Sequence, residues 1–289
     1  MKRGEITVEG GINLVYTLES GQTYTWNKNE GELFDLEPGS RYSTVTPENG
    51  FLEIWQEEQS SVSWKADFDA ENYLKKTLGL GDNLEKIYSR SPDIKILNEL
   101  IQKFSGLRIT REPFFRTLIS FILSSRMRVE RVHDVQNSLR QKFGERVEVQ
   151  GEEIYTYPEP EKMAEASEQE IKDCGAGYRS SYIQKTCQRF LETGNPVDKD
   201  LGIEENRERL KEFTGVGDKV ADCILLFSQG FLGAVPLDTW IRKVIKNELP
   251  ECEKQSYRET SQAIREKFGQ RYAGYYQTHI FHYMRTRKN

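Results

Sequence analysis

Two periodicities divide this 289-residue chain, and the point where one replaces the other limits what it can fold into. Up to about residue 70, short β-branched and aromatic runs alternate with turn residues. The runs are Ile6–Val8, Asn13–Leu18, Gln22–Trp26, Tyr42–Thr46, Phe51–Gln56 and Ser61–Lys65. Breaks such as Glu19-Ser20-Gly21 and Pro38-Gly39-Ser40 separate them, as in an antiparallel sheet. From about residue 90, apolar residues recur every three or four positions. Ile94, Leu97, Ile101 and Phe104 form one stripe, and Val129, Val132, Val135, Leu139 and Phe143 form another. Further helices are predicted around 114–125, 179–192, 205–213, 219–229, 239–249, 257–268 and 272–286. The stretch 146–162, rich in Glu, Tyr and Pro, reads as the most loop-like. The sum is an α+β arrangement, with an antiparallel N-terminal domain over 1–90 and an all-helical body in two lobes over 91–289.

Charge matters here through its distribution. The formal net charge is −5, which at first disfavours a polyanionic partner. Residues 1–100, however, hold 10 basic against 18 acidic residues, whereas 101–150 hold 10 against 5 and 271–289 hold 4 against none. A nucleic-acid footprint depends on a local patch, so DNA binding survives this test, although ordinary solvated faces would give the same counts. No apolar run approaches the roughly 18 residues of a membrane span, and no leader pattern is visible; a soluble, intracellular protein is expected. Cys174, Cys187, Cys223 and Cys252 lack the close pairs of a zinc or iron–sulfur site, so reduced thiols are expected and no metal or other cofactor.

The stretch richest in chemistry is Thr214-Gly215-Val216-Gly217-Asp218-Lys219-Val220-Ala221-Asp222-Cys223, followed by Ala234-Val235-Pro236-Leu237-Asp238. A helix runs into a Gly-Val-Gly turn and a second helix opens at Asp218 or Lys219, a helix-hairpin-helix over about 205–229. Gly215 and Gly217 allow a tight turn and expose amides that can hold a phosphate, with the next helix adding its positive end. An ordinary turn needs the same residues. Lys219 lies in the first helical turn. Either it is a plain surface lysine, or burial and the helix end lower its pKa and make it a nucleophile. Cys223, four residues on, shares its face and would otherwise be a small core residue. Asp238 fits a helix N-cap, and a cap facing a cleft can also stabilise positive charge.

These two motifs, with the aspartate nineteen positions after the lysine, resemble the helix-hairpin-helix DNA glycosylases, and within them the 8-oxoguanine DNA glycosylase/lyase branch. The resemblance extends over Ser20-Gly21-Gln22 with Trp26, Phe121-Ile122-Leu123-Ser124-Ser125, Gly175-Ala176-Gly177-Tyr178-Arg179 with Tyr182, and Tyr272–Gln277 with Phe281. It implies a bifunctional enzyme that acts on damaged double-stranded DNA, removes 8-oxoguanine and nicks by β-elimination, with no metal or iron–sulfur cluster and as a monomer. It implies Lys219 as nucleophile and Asp238 as catalytic carboxylate. Gln277 would bond the Watson–Crick edge of the extruded base, Phe281 and Cys223 would sandwich it, and the Gly21 carbonyl would accept the N7 hydrogen that guanine lacks. Gly215, Val216 and Gly217 would meet the backbone, Tyr178 would wedge into the stack, and Arg131 and Arg179 would read the orphaned partner base. The chain departs from the eukaryotic pattern in having Arg126-Met127-Arg128 where an asparagine run is usual, which puts Arg126 at the DNA-binding position. It also has Trp240 where that pattern has histidine.

Three alternatives share parts of this pattern. A monofunctional alkylpurine glycosylase needs Asp238 but no lysine at 219. An oxidised-pyrimidine endonuclease keeps the lysine but carries a four-cysteine cluster, and no cysteine follows Cys252. A non-catalytic DNA-binding protein could use the hairpin as a phosphate clamp alone.

Overall fold

The computed structural model describes residues 1–149 and 151–287. Five antiparallel strands, β1 (Lys2–Thr7), β2 (Asn27–Lys28), β3 (Tyr42–Val45), β4 (Phe51–Trp55) and β5 (Ser61–Ala66), form one sheet in the order β1-β5-β4-β3-β2. The first strand therefore closes on the last, with Lys2 opposite Ala66 and Thr7 opposite Ser61. Alternation decides which face is buried: Leu52, Ile54, Val62, Trp64 and Ala66 point inward while their neighbours are partly exposed. These side chains join Ile6, Ile12, Trp26 and Leu74 in a core of their own. A second, larger core runs through the helices and reaches back to Tyr24.

The helical body follows the apolar stripes. Its helices are Lys95–Lys103, Phe114–Ser124, Val129–Phe143, Ser180–Thr193, Ile203–Leu210, Asp218–Phe227, Thr239–Glu248, Tyr257–Lys267 and Ala273–Thr286. Two starts are fixed by local chemistry. Ser256 and Glu259 form a reciprocal capping box, and the Asp238 carboxylate accepts from the Ile241 amide at 2.8 Å. Among the described residues, no helix is long and apolar enough to cross a membrane.

Three expectations for individual segments are corrected. Asn13–Leu18 is not a strand but the short helix Leu14–Leu18. Leu14, Val15, Thr17 and Leu18 are all buried, a helical spacing, and Asn13 caps the turn by accepting from the Tyr16 amide. Gln22–Trp26 is buried yet pairs with no strand, because side chains take the place of the ladder there. The stretch 146–162 holds a hairpin, β6 (Arg146–Val149) with β7 (Glu152–Tyr155), followed by the helix Pro160–Glu165. Arg146 and Glu148 are exposed while Val147 and Val149 are half-buried, and Arg146 pairs with Glu153 across the strands at 2.7 Å. Arg146, Glu148 and Glu153, charged residues that look loop-like in sequence, form the outer face of this hairpin.

Candidate active site

The hairpin helices Ile203–Leu210 and Asp218–Phe227 meet through Thr214–Gly217. Gly215 sits at φ +87°, and a Cβ there would lie 2.9 Å from the Tyr182 ring, so both conformation and contact demand glycine. Thr186 ties the turn down by donating to the Thr214 carbonyl at 2.9 Å. Val216 is buried and Gly217 exposed. Among the described residues, no acceptor engages the amides of Gly215 or Gly217, and Gly217 gives the second helix no side-chain cap. The helix start is thus left open for an anion.

In the first turn of that helix, Lys219 lines a cavity of about 650 Å³, within the roughly 300–1,000 Å³ of small-ligand sites. Its Nζ donates to Ser124 Oγ at 3.3 Å and stands 5.3 Å from the centre of the Phe121 ring. Ser124 Oγ in turn donates to the Phe121 carbonyl at 2.8 Å, which fixes its lone pair toward the amine. Cys223 lies one turn further along, and burial pushes its thiol up to about 12 against the pull of Lys219, so it stays protonated. Asp238 also lines the cavity. Burial raises its pKa, opposed by the Ile241 amide and by the Lys219 charge.

Gly21, Gln277, Phe281 and Arg126 complete the set of predicted residues that share this cavity. Gly21 is held at φ +85°, and a Cβ on it would come within 3.2 Å of Phe281 and 3.3 Å of Val129. The backbone is therefore pressed against the Phe281 ring. What places it there is a side-chain scaffold. Gln22 donates to the carbonyls of Thr17 and Arg108, both at 2.8 Å, and accepts from the Thr110 amide at 2.8 Å. The buried Glu112 carboxylate accepts from Thr23, Thr25 and the Trp26 indole at 2.9–3.0 Å. Among the described residues, neither the Gly21 carbonyl nor the Gln277 side-chain amide nitrogen has a hydrogen-bond partner. Gln277 is only 3% exposed, so its free donor faces the cavity or nothing.

A buried network ties the two reactive segments together. Arg207 of the first hairpin helix pairs with Asp222 of the second at 2.9 Å. The Tyr257 hydroxyl donates to Asp222 Oδ2 at 2.7 Å and accepts from the Leu237 amide at 3.1 Å. Asp222 is three residues from Lys219 and Leu237 adjoins Asp238, so one tyrosine oxygen bridges the elements that carry both groups. Sequence reading missed this link, since Tyr257 looks like the first apolar residue of a helix.

The remaining predicted residues lie outside the cavity. Tyr178 is 54% exposed, edge-on to Tyr182 with ring centres 5.9 Å apart, and Arg179 covers its face. Arg179 itself is buried, its guanidinium held by the Ser125 carbonyl. Arg131 is exposed, with Asp134 3.8 Å away. Residues not assigned a role from sequence also line the cavity, among them Tyr24, Phe121, Ser124, Trp240 and Arg285. The Phe121–Ser125 motif was the visible signal for two of them. The departure at Trp240 was the signal for a third, and Tyr24 and Arg285 gave none.

Comparison with known proteins places this geometry. Residues 119–270 match the family model of the HhH-GPD superfamily base excision DNA repair proteins, and residues 6–118 match that of the 8-oxoguanine DNA glycosylase N-terminal domain. The chain is 28% identical over 281 residues to the N-glycosylase/DNA lyase of Saccharomyces cerevisiae, covering 86% of this chain and 71% of that protein. It is 28% identical over 303 residues to the probable N-glycosylase/DNA lyase of Methanothermobacter thermautotrophicus, covering 96% and 94%. Among solved structures it is similar to the Clostridium acetobutylicum 8-oxoguanine glycosylase/lyase bound to double-stranded DNA with cytosine opposite 8-oxoG. There the TM-score is 0.82 at 27% identity, over 98% of this chain and 97% of that one.

Proposed function

Because this chain belongs to the HhH-GPD superfamily of base excision DNA repair proteins and has Lys219 and Asp238 lining one cavity, we propose that it excises 8-oxoguanine from duplex DNA and nicks the strand through a Schiff base on Lys219. It is a bifunctional glycosylase/lyase, as its relatives' names indicate. The observation that carries the substrate reading is the cavity's unused bonding capacity: the Gly21 carbonyl and the Gln277 amide nitrogen sit in the same walls as the amine and the carboxylate.

The target nucleotide leaves the stack, since its glycosidic carbon is inaccessible inside the duplex; extrusion costs a few kcal/mol. The open amides of Gly215 and Gly217 hold a backbone phosphate, exposed Tyr178 fills the vacated space, and exposed Arg131 meets the partner strand. Arg179 stays buried against Ser125, and Arg126 meets the DNA at the cavity. In the cavity Phe281 and the neutral Cys223 flank the base and Gln277 bonds its Watson–Crick edge. The Gly21 carbonyl accepts the N7 hydrogen. Guanine presents an acceptor at that atom, so the carbonyl would stay unpaired, at a cost of about 1–3 kcal/mol.

As the glycosidic bond breaks, positive charge grows on the sugar and the Asp238 carboxylate stabilises it. Once its ammonium has given a proton to solvent, Lys219 bonds through the free amine to C1′; the base departs with the bonding pair and takes up the proton that the new C–N ammonium sheds. Ring opening then gives a protonated imine, whose electron demand acidifies C2′; loss of that proton expels the 3′ phosphate. No step uses a metal, and the reading takes the protein as a monomer working on DNA inside the cell. A panel of single-lesion duplexes tests it. Excision of 8-oxoguanine well above guanine, hypoxanthine and 3-methyladenine is expected; preference for an alkylated base would reject the Gly21 readout.

A further inference from the structure

Beside the active-site cavity lies a larger groove of about 1000 Å³. Helices Lys95–Lys103 and Thr239–Glu248 and the end of Ala273–Thr286 form its sides, and Trp240 stands in the walls of both cavities. The two spaces are therefore neighbours across one indole, two residues after Asp238.

The groove combines an apolar floor with cations that, among the described residues, have no acid partner. Ile96, Val244 and Met284 lie in its lining with the Tyr283 ring. Lys95, Lys103, Lys243 and Arg287 surround them, against Glu99 and Glu248. Among the described residues, none of these four cations has a carboxylate within ion-pair distance, whereas surface cations such as Lys75, Arg146 and Arg258 do. Lys103 and Arg287 lean instead on the same Tyr283 ring, 5.2 and 5.5 Å from its centre. Arg242, on the cavity side of Trp240, is likewise without an acid and extends the cationic line toward Asp238.

Unpaired lysine and arginine over aromatic and aliphatic faces suit a sugar-phosphate chain: the charges take phosphates and the rings take sugars or an unstacked base. We infer that this groove carries the backbone of the damaged strand on one side of the extruded nucleotide, which passes Trp240 on its way out of the active-site cavity. The inference rests on the DNA reading above and adds a specific path to it. An acidic protein segment could meet the same charges, and the test separates the two.

The probe is a fluorescent duplex with a tetrahydrofuran abasic-site analogue, which binds without being cut. Binding is measured from 0.05 to 0.3 M salt for the wild type, Lys103→Ala/Lys243→Ala, and a control, Lys2→Ala/Arg3→Ala, on the sheet. Each lost phosphate contact lowers the slope of log affinity against log salt by about 0.9. The groove variant should lose about 1.8 in slope and on the order of tenfold in affinity at 0.15 M salt, with the control unchanged. Replacing single phosphates within three positions of the lesion by methylphosphonates should then weaken the wild type at one or two positions on one side, and the groove variant no further at those positions. An unchanged slope, or a loss equal to the control's, overturns the groove path and leaves the acidic-segment alternative. If the wild type forms a borohydride-trapped adduct with 8-oxoguanine DNA in the same preparation, that failure does not touch the catalytic reading; if the wild type neither traps nor binds, both readings fall.

Discussion

Replacing Tyr257 by phenylalanine removes one oxygen, and the consequences can be worked from what that oxygen holds. It donates to Asp222 at 2.7 Å and accepts from the Leu237 amide at 3.1 Å. A hydrogen bond to a charged group contributes about 1.5–3 kcal/mol, and an orphaned buried amide costs about 1–3 kcal/mol. The two overlap, because Asp222 keeps Arg207 and the backbone can relax, so about 3 kcal/mol of stability should be lost. For a chain of this length that is a fall in Tm of about 5 °C. The catalytic effect follows from what is bridged: Lys219 and Asp238 sit on the two segments that this hydroxyl joins, and sub-ångström misplacement of reacting groups costs on the order of tenfold in rate or more. Urea denaturation measures the first quantity and single-turnover excision of 8-oxoguanine the second, below the unfolding range of both proteins. Binding to an uncleavable lesion duplex should change less than twofold. A Tyr257→Phe protein that is destabilised yet cuts at the wild-type rate would refute the positioning role; wild-type stability would refute the network itself.

Two further outcomes follow from the same geometry. Asp238→Asn keeps a good N-cap, since asparagine caps as well as aspartate, so the variant should melt within about 1 °C of the wild type. Base excision should fall on the order of a hundredfold or more with the carboxylate gone, and a large drop in Tm instead would mean that Asp238 is mainly structural. His279 and His282 are fully buried, and burial lowers them to about 4 and about 3. An unfolded imidazole titrates near about 6.5, so below that pH the unfolded chain takes up protons that the folded chain refuses. This contribution is complete above pH 6.5 and is lost as the pH falls toward 4. At pH 5.5 the pair should cost about 3 kcal/mol relative to pH 7.5. His282→Phe, which suits its Tyr16 and Phe104 neighbours, should remove about half of that loss in urea titrations, and an unaltered pH dependence would contradict the assignment.

What the sequence revealed depended on how local each feature is. The helical stripes and the Gly-Val-Gly turn are written in adjacent residues, so the placement of Lys219 and Cys223 on one helix face and the Asp238 cap could be read directly. Gln277 and Phe281 share a helix face, and that too is local. The scaffold around Gly21 is not. Gln22 bonds Thr110 and Glu112 gathers Thr23, Thr25 and Trp26, across almost ninety residues, so a run with strand-like composition is held by side chains instead of a ladder. The Arg207–Asp222–Tyr257 network crosses three helices in the same way. In Leu14–Leu18 the helical spacing was present but outweighed by β-forming residue types, and at Arg146–Tyr155 the charges of an outer face hid a two-residue period. The resemblance puts Arg179 at the partner base, yet the Ser125 carbonyl holds it inside.

The account depends above all on one amine reaching the sugar carbon of a flipped nucleotide. Incubation with duplex DNA carrying 8-oxoguanine opposite cytosine, in the presence of borohydride, followed by peptide mapping of the adduct, tests this most directly. The expected result is a covalent protein–DNA product attached at Lys219 and absent from Lys219→Gln. An adduct that persists in Lys219→Gln, or that maps to another lysine, would contradict it.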